Sequence, residues 1–257
     1  GFSNIVYSVD TDETSHQLPI GLDSEETYFW RVSATNGCGE GTPSGAFTFT
    51  VRSIPDVLLV DDDQNTPDIG ATYISALDNL GIAFDEFDTG DGNAGAEPTS
   101  SELAPYKTVI WIGGESGFIR EAGETALSTH LDNGACLAVI AQDYRWYRGS
   151  FTPFMDTYLG AASIDQDNNH PTINGIGGAF LGYGPHTFTM PAGYTNYTDD
   201  VVPDADAVAI MRGSGHPSNP AATVGISKTT EMYQTMFMPF PLEAAPTAAL
   251  EQALQTI

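Results

Sequence analysis

An apolar strand that runs directly into three acids, DVLLVDDD over residues 56–63, limits most strongly how this chain can fold. Consecutive aliphatic residues without polar alternation mark a strand buried on both faces, the kind found in parallel sheets covered by helices. In such sheets ligands gather beyond the carboxyl ends of the strands. Asp61, Asp62 and Asp63 stand at that end. Clustered with Asp68, they are the candidate metal ligands, with calcium or magnesium the cation expected and no other cofactor indicated, because calcium takes several oxygen ligands. Neighbouring strand residues point in opposite directions, so the three cannot all face one ion. No D-x-D-x-D-G loop follows them, and the competing reading is that Asp62 or Asp63 holds loop amides at the sheet edge.

The pattern after residue 56 alternates strands and helices. Val57–Val60 is followed by a helix over Ala71–Leu80, with Tyr73, Leu77 and Leu80 at helical spacing and Gly81 placed to end it. Ile82–Phe87 is a second strand, the loop TGDGNAGAEPTS leads to a third at Thr108–Ile112, and a helix over Glu121–Leu131 precedes a fourth at Cys136–Ile140. His130 stands where it would cap that helix's C-terminus. This order, with connections of ten or more residues, predicts an α/β domain with a flavodoxin-like, doubly wound, mainly parallel sheet. Residues 144–204 are rich in glycine, proline and aromatics, with hairpins expected around Thr187–Met190. Short strands at Ala207–Met211, Ala222–Ile226 and Met232–Met238 precede a closing helix over Thr247–Ile257.

Composition bears on partners. Thirty-four acidic residues face 8 basic ones, a net charge of −26, and the only lysines are Lys107 and Lys228. Such a field repels nucleic acid and anionic membranes and attracts divalent cations. It suits a calcium-rich or saline extracellular or cell-surface setting, and it suits plain solubility in a salt-adapted host. No run approaches a membrane span. The two cysteines, Cys38 and Cys136, are expected in different domains and unbonded to each other, Cys136 as a small buried hydrophobe.

Residues 1–52 read as β structure, with NIVYSV, TYFWRVSAT and AFTFTV as strands separated by polar and Gly/Pro turns. FSNIVYS, LDSEETYFWRVSATNGCGEG and SGAFTFTV resemble the second half of a fibronectin type III domain. The resemblance implies a partial all-β immunoglobulin-like sandwich over 1–52, a linker at 53–55 and a second domain over 56–257. It also implies that the chain continues a longer protein.

The second domain, through VLLVDDD, YISALDNLGIAFDEFDT, YKTVIWIGG, LAVIAQDYRW, FTPFMDTYLGA, AATVG and FMPFPLEA, resembles the class I glutamine amidotransferase-like superfamily in the version found in secreted bacterial proteins, often peptidases. That family's catalytic members carry a cysteine on a strand-to-helix elbow and a His-Pro-Glu near the C-terminus. The resemblance places the elbow on Ala141-Gln142-Asp143, where Gln142 has no nucleophilic atom, and the C-terminal element on Phe240–Glu243, which keeps the acid without a histidine. The inherited site near Gln142, Asp143 and Glu243 is therefore expected to be degenerate, with no catalytic residue. Ser116 in WIGGESGF fails the G-x-S-x-G spacing and reads as part of a flexible glycine loop. Asp143, Tyr144, Arg145 and Trp146, at the end of the fourth strand, are the candidate ligand-binding residues, a mixture suited to a sugar or peptide or simply to packing over the sheet.

The expected function is a non-catalytic accessory or binding module of a larger secreted protein, the parent a peptidase by resemblance. Its partners would be other domains of the same parent and a polysaccharide or protein ligand. Two other classes stand beside it. One is a hydrolase using the acidic or metal-bearing crevice; the other is a structural subunit that self-assembles in a surface layer or filament.

Overall fold

The computed structural model describes residues 4–65, 67–90, 95–217 and 221–257. Residues 91–94 of the loop after the second expected strand lie outside this description. The chain divides into two compact units, Gly1–Ile54 and Pro55–Ile257.

In the first unit β1 (Thr27–Trp30) pairs antiparallel with β4 (Phe47–Thr50), while β2 (Thr35–Asn36) and β3 (Gly39–Glu40) form a short hairpin between them. The ribbon is stitched by cross-strand aromatic stacks, Tyr28 on Phe49 and Trp30 on Phe47, the pairs that stabilise antiparallel strands. The strand expected over NIVYSV is absent, and these residues run without a ladder partner. TYFWRVSAT is a strand over Thr27–Trp30 and again only at its last residue, Thr35, which begins β2. Phe29, Trp30, Val32, Phe47 and Phe49 remain exposed, so this unit buries little of its apolar surface.

The second unit opens with β5 (Val57–Asp61), α1 (Gly70–Leu80), β6 (Phe84–Asp88), the short α2 (Ser100–Leu103), β7 (Thr108–Gly114), α3 (Glu121–Asp132) and β8 (Cys136–Ala141). Then come α4 (Tyr144–Arg148), α5 (Pro153–Thr157), β9 (Ala161–Asp165), β10 (Thr172–Gly175), β11 (His186–Thr187), β12 (Asp200–Pro203), β13 (Ala207–Ser214), β14 (Ala221–Thr229), β15 (Gln234–Met238) and α6 (Thr247–Thr256). Among the described residues nine strands form one sheet in the order β11-β10-β13-β14-β15-β8-β7-β5-β6. Its half from β15 to β6 is parallel throughout, as the strand and helix alternation predicts. Its other half, β14 to β11, is an antiparallel wing in which β13 and β14 cover the strands expected at Ala207–Met211 and Ala222–Ile226 while β10 and β11 come from the irregular region, and β9 pairs with β12 outside the sheet.

Both faces of the parallel half are covered, which explains the unbroken apolar runs. Leu59, Ile110, Ile112, Ala138 and Ile140 pack with Tyr73 and Leu77 of α1 and Leu250 and Leu254 of α6. Leu58, Val60, Val109, Trp111, Leu137 and Val139 face the other way, against Leu127 and Leu131 of α3. The registers Asp61↔Asp88, Asp61↔Ile112, Ile112↔Ile140 and Ile140↔Met238 align the carboxyl ends of the five parallel strands on one rim. His130 is buried and its pKa is lowered by desolvation, so it brings no reliable charge to the C-terminus of α3. Among the described residues no helix is long and apolar enough to cross a membrane.

Candidate functional site

The rim carries the acids, and the pleat of β5 sorts them. Asp61 continues the face of Leu59, while Asp62 continues the face of Val60. Asp62 is fully buried and accepts hydrogen bonds from Thr89 Oγ1 at 2.8 Å and Trp111 Nε1 at 3.3 Å, with Arg120 Nη1 3.7 Å away. Desolvation pushes its pKa up to about 6, and the Thr89 hydrogen bond and the Arg120 charge oppose the rise. Asp62 is thus turned away from Asp61 and Asp63 and bound into the wall between β5, β7 and α3.

Asp61 and Asp63 share the opposite side with Asp68, and the three offer oxygens within 4.8 Å of one another. Burial, followed by the charge of Asp63, pushes the Asp61 carboxyl up to about 7. Gly70 makes room for it, because a Cβ there would sit 1.8 Å from Asp61 Oδ2. Each carboxylate of the trio also accepts a loop amide. Asp63 takes the N–H groups of Asn65 and Ile69, Asp68 that of Gly70, and Asp61 that of Asp63. These bonds brace the turn between β5 and α1.

At the end of β8 the chain makes the strand-turn-helix bend of an elbow, but with no strained residue. Asp143 has φ −113°, and Gln142 is not among the non-glycine residues with positive φ. Gln142 is fully buried, and both ends of its amide are used: Nε2 donates to the Thr195 carbonyl at 3.0 Å and Oε1 accepts from Tyr197 N–H at 2.8 Å. Glu243 is also enclosed, accepting hydrogen bonds from Tyr73 at 2.8 Å and from Tyr194. Burial raises the pKa of Glu243, and those of both tyrosines rise for the same reason and because of its charge. Cys136 begins β8, at the amino end of the strand and half-buried rather than buried; it and Cys38 are free thiols.

The candidate ligand residues separate on the first turn of α4. Tyr144 is fully buried, a correction to the expectation that it faces a ligand. Its hydroxyl donates to Glu124 Oε1 at 2.6 Å, where Arg148 Nε at 3.0 Å and Thr152 Oγ1 at 3.0 Å converge. Residues 144 and 148 share a helix face, and that face points at α3. Arg145 is half-buried with Nη1 donating to Gln166 Oε1 at 2.5 Å, and Trp146 is 62 % exposed. Only Asp143, Arg145 and Trp146 remain toward the rim or solvent.

Asp143 meets two acids that the sequence did not single out. Asp143, Asp167 of the loop after β9 and Asp199 just before β12 offer oxygens within 4.8 Å of one another. Asp199 is 1 % exposed and accepts the Asp167 N–H at 3.0 Å. Burial, then Asp167 and Glu115, push Asp143 up to about 7. Burial, with the charges of Asp143 and Asp167, pushes Asp199 up to about 9.

Ser116 sits in a close-packed glycine turn rather than a flexible one. A Cβ on Gly117 would lie 1.8 Å from the Asp62 carbonyl oxygen and 2.5 Å from that of Gly113. Backbone approach, not mobility, explains these glycines.

No family model matches this chain, and no curated protein matches it in sequence. Solved structures do match in fold. A cold-adapted β-galactosidase from Rahnella sp. R3 superposes with TM-score 0.54 at 16 % identity, over 80 % of this chain and 31 % of that one. A ThuA-like protein from Bacteroides uniformis gives TM-score 0.51 at 10 % identity, over 81 % and 92 %. A cytoplasmic protein of Salmonella typhimurium gives 0.50 at 11 % identity, over 90 % and 96 %. The chain thus spans about a third of the length of the β-galactosidase it matches. ThuA-like proteins have a glutamine amidotransferase-like fold, and that is the fold of the second unit.

Proposed function

We propose that this chain is a non-catalytic binding module of a larger extracellular bacterial protein, built on a glutamine amidotransferase-like domain whose inherited site is silent. One observation carries the reading: Gln142 occupies the elbow and spends its whole amide on the backbone at Thr195 and Tyr197, so the position that would hold a nucleophile is a structural tie. Glu243, clasped by Tyr73 and Tyr194, orients nothing but them. Nucleophile and base are both lacking there. The acidic balance of −26 favours an extracellular, cation-rich setting. The paired aromatic ribbon of residues 27–50 is consistent with a fragment of a fibronectin type III-like domain that accompanies the module. Arg145 and exposed Trp146 are the groups that would meet a polysaccharide or protein ligand.

Incubation with glutamine, simple amides and peptides is expected to give no turnover above the uncatalysed rate. A thiol reagent should leave ligand binding unchanged. Turnover abolished by Cys136→Ala would overturn this reading. Turnover abolished by Asp143→Asn would instead favour a hydrolase that uses the acidic crevice, because a carboxyl lifted to about 7 is poised as a general base.

A further inference from the structure

We infer that Asp143, Asp167 and Asp199 form a binding site for one hard divalent cation, calcium by its coordination. This site is distinct from the acids at the end of β5 and independent of whether the inherited catalytic site is silent. The spacing fits. Oxygens bound to one calcium at about 2.4 Å can be no farther apart than about 4.8 Å, and the three carboxylates offer oxygens within 4.8 Å of one another.

The second observation is the state of Asp143 itself. It is 6 % exposed, lies among the other two acids, and among the described residues accepts no hydrogen bond. Buried carboxylates ordinarily have donors or a counter-charge. Asp63, at the other cluster, shows the ordinary case, with a loop amide on each oxygen. None of the three acids makes an ion pair with a lysine or arginine among the described residues. Arg145, whose charge reaches Asp199, gives its Nη1 to Gln166 instead. A further acceptor lies on the same loop, where Asn169 Oδ1 is buried without a partner. Three converging acids, one of them without a donor, are what a cation neutralises. The acids come from the end of β8 and from the two segments flanking the β9/β12 pair, so a bound ion would tie that pair to the sheet.

The test titrates chelator-treated whole chain, at about pH 8, with calcium chloride and separately with magnesium chloride, following heat of binding and melting temperature. Calcium is expected to bind and to raise the melting temperature, because it binds only the folded state. Asp143→Asn and Asp199→Asn should each weaken that binding by about tenfold or more, as loss of a charged ligand does. A Glu86→Gln control, which removes one exposed charge elsewhere, should not. Without calcium, Asp143→Asn should melt no lower than the wild type, because it removes a repulsive buried charge. A merely structural aspartate would give the opposite sign. Calcium binding that survives in both variants, or that is lost only in Asp61→Asn, would overturn the assignment, as would no binding by the wild type at millimolar calcium. Tighter binding of magnesium than of calcium would overturn the choice of ion.

Discussion

In chelator, raising the pH from about 6 to about 9 is expected to lower the melting temperature of this protein by about 5 °C, equivalent to about 2 kcal/mol once screening at the rim is allowed for. The sign follows from where the acids sit. Asp61 and Asp143 are raised in the fold from 3.8 to about 7, and Asp199 from 3.8 to about 9, in each case first by burial. Over this range the folded state therefore holds more protons than the unfolded state, and stability declines as pH rises until the folded values are passed. Asp61 and Asp143 stop contributing near neutrality, and Asp199 carries the decline further. Two groups act in the other direction at lower pH. Asp204, lowered by Lys228, loses its contribution only near the ordinary carboxylate range, and His130, lowered by burial, loses its own below 6.5. Asp204 acts below the stated window, and His130 acts only at its lower edge, where it opposes the decline. Melting scans across that window check the claim, and a flat or rising profile in chelator would refute it. Saturating calcium should flatten the slope, because an ion on Asp143 and Asp199 replaces the protons they would otherwise retain.

The sequence made some of this legible for definite physical reasons. A run such as VLLV can be satisfied only by burial on both faces, and the structure gives it α1 and α6 on one side and α3 on the other. Strand alternation likewise separates Asp61 from Asp62. In the antiparallel wing β13 and β14 show in the sequence as short strands, but their neighbour β10 does not, because it joins β13 across a long, glycine-rich stretch whose register depends on tertiary contacts. Tyr144 misled as a rim aromatic, whereas a helical reading of residues 144–148 would have put it on the face of Arg148, toward Glu124. The trio of Asp143, Asp167 and Asp199 comes from segments separated by loops, and no local spacing announces it. Its one hint, Asp167 at φ 61°, is a backbone property that sequence does not display.

Adjacent acids at the end of β5 should respond to mutation with opposite signs. Asp62→Ala strips the acceptor from Trp111 Nε1 and Thr89 Oγ1 and leaves the partly buried Arg120 guanidinium with Glu97, 3.3 Å away, as its remaining ion-pair partner. Breaking such a buried set costs about 3 kcal/mol or more, because the partners lose their compensation as well as the contact. In a unit of this size that is a fall of about 6 to 12 °C. Asp61→Asn keeps an oxygen for the Asp63 N–H and removes a charge that burial and the neighbouring Asp63, Asp88 and Asp68 all disfavour. In chelator above neutral pH it should therefore raise the melting temperature. Calorimetry on the two variants side by side decides the matter. If Asp61→Asn destabilises as much as Asp62→Ala, then Asp61 holds the turn into α1 through its charge, and the division of β5 into a structural and an uncompensated acid fails.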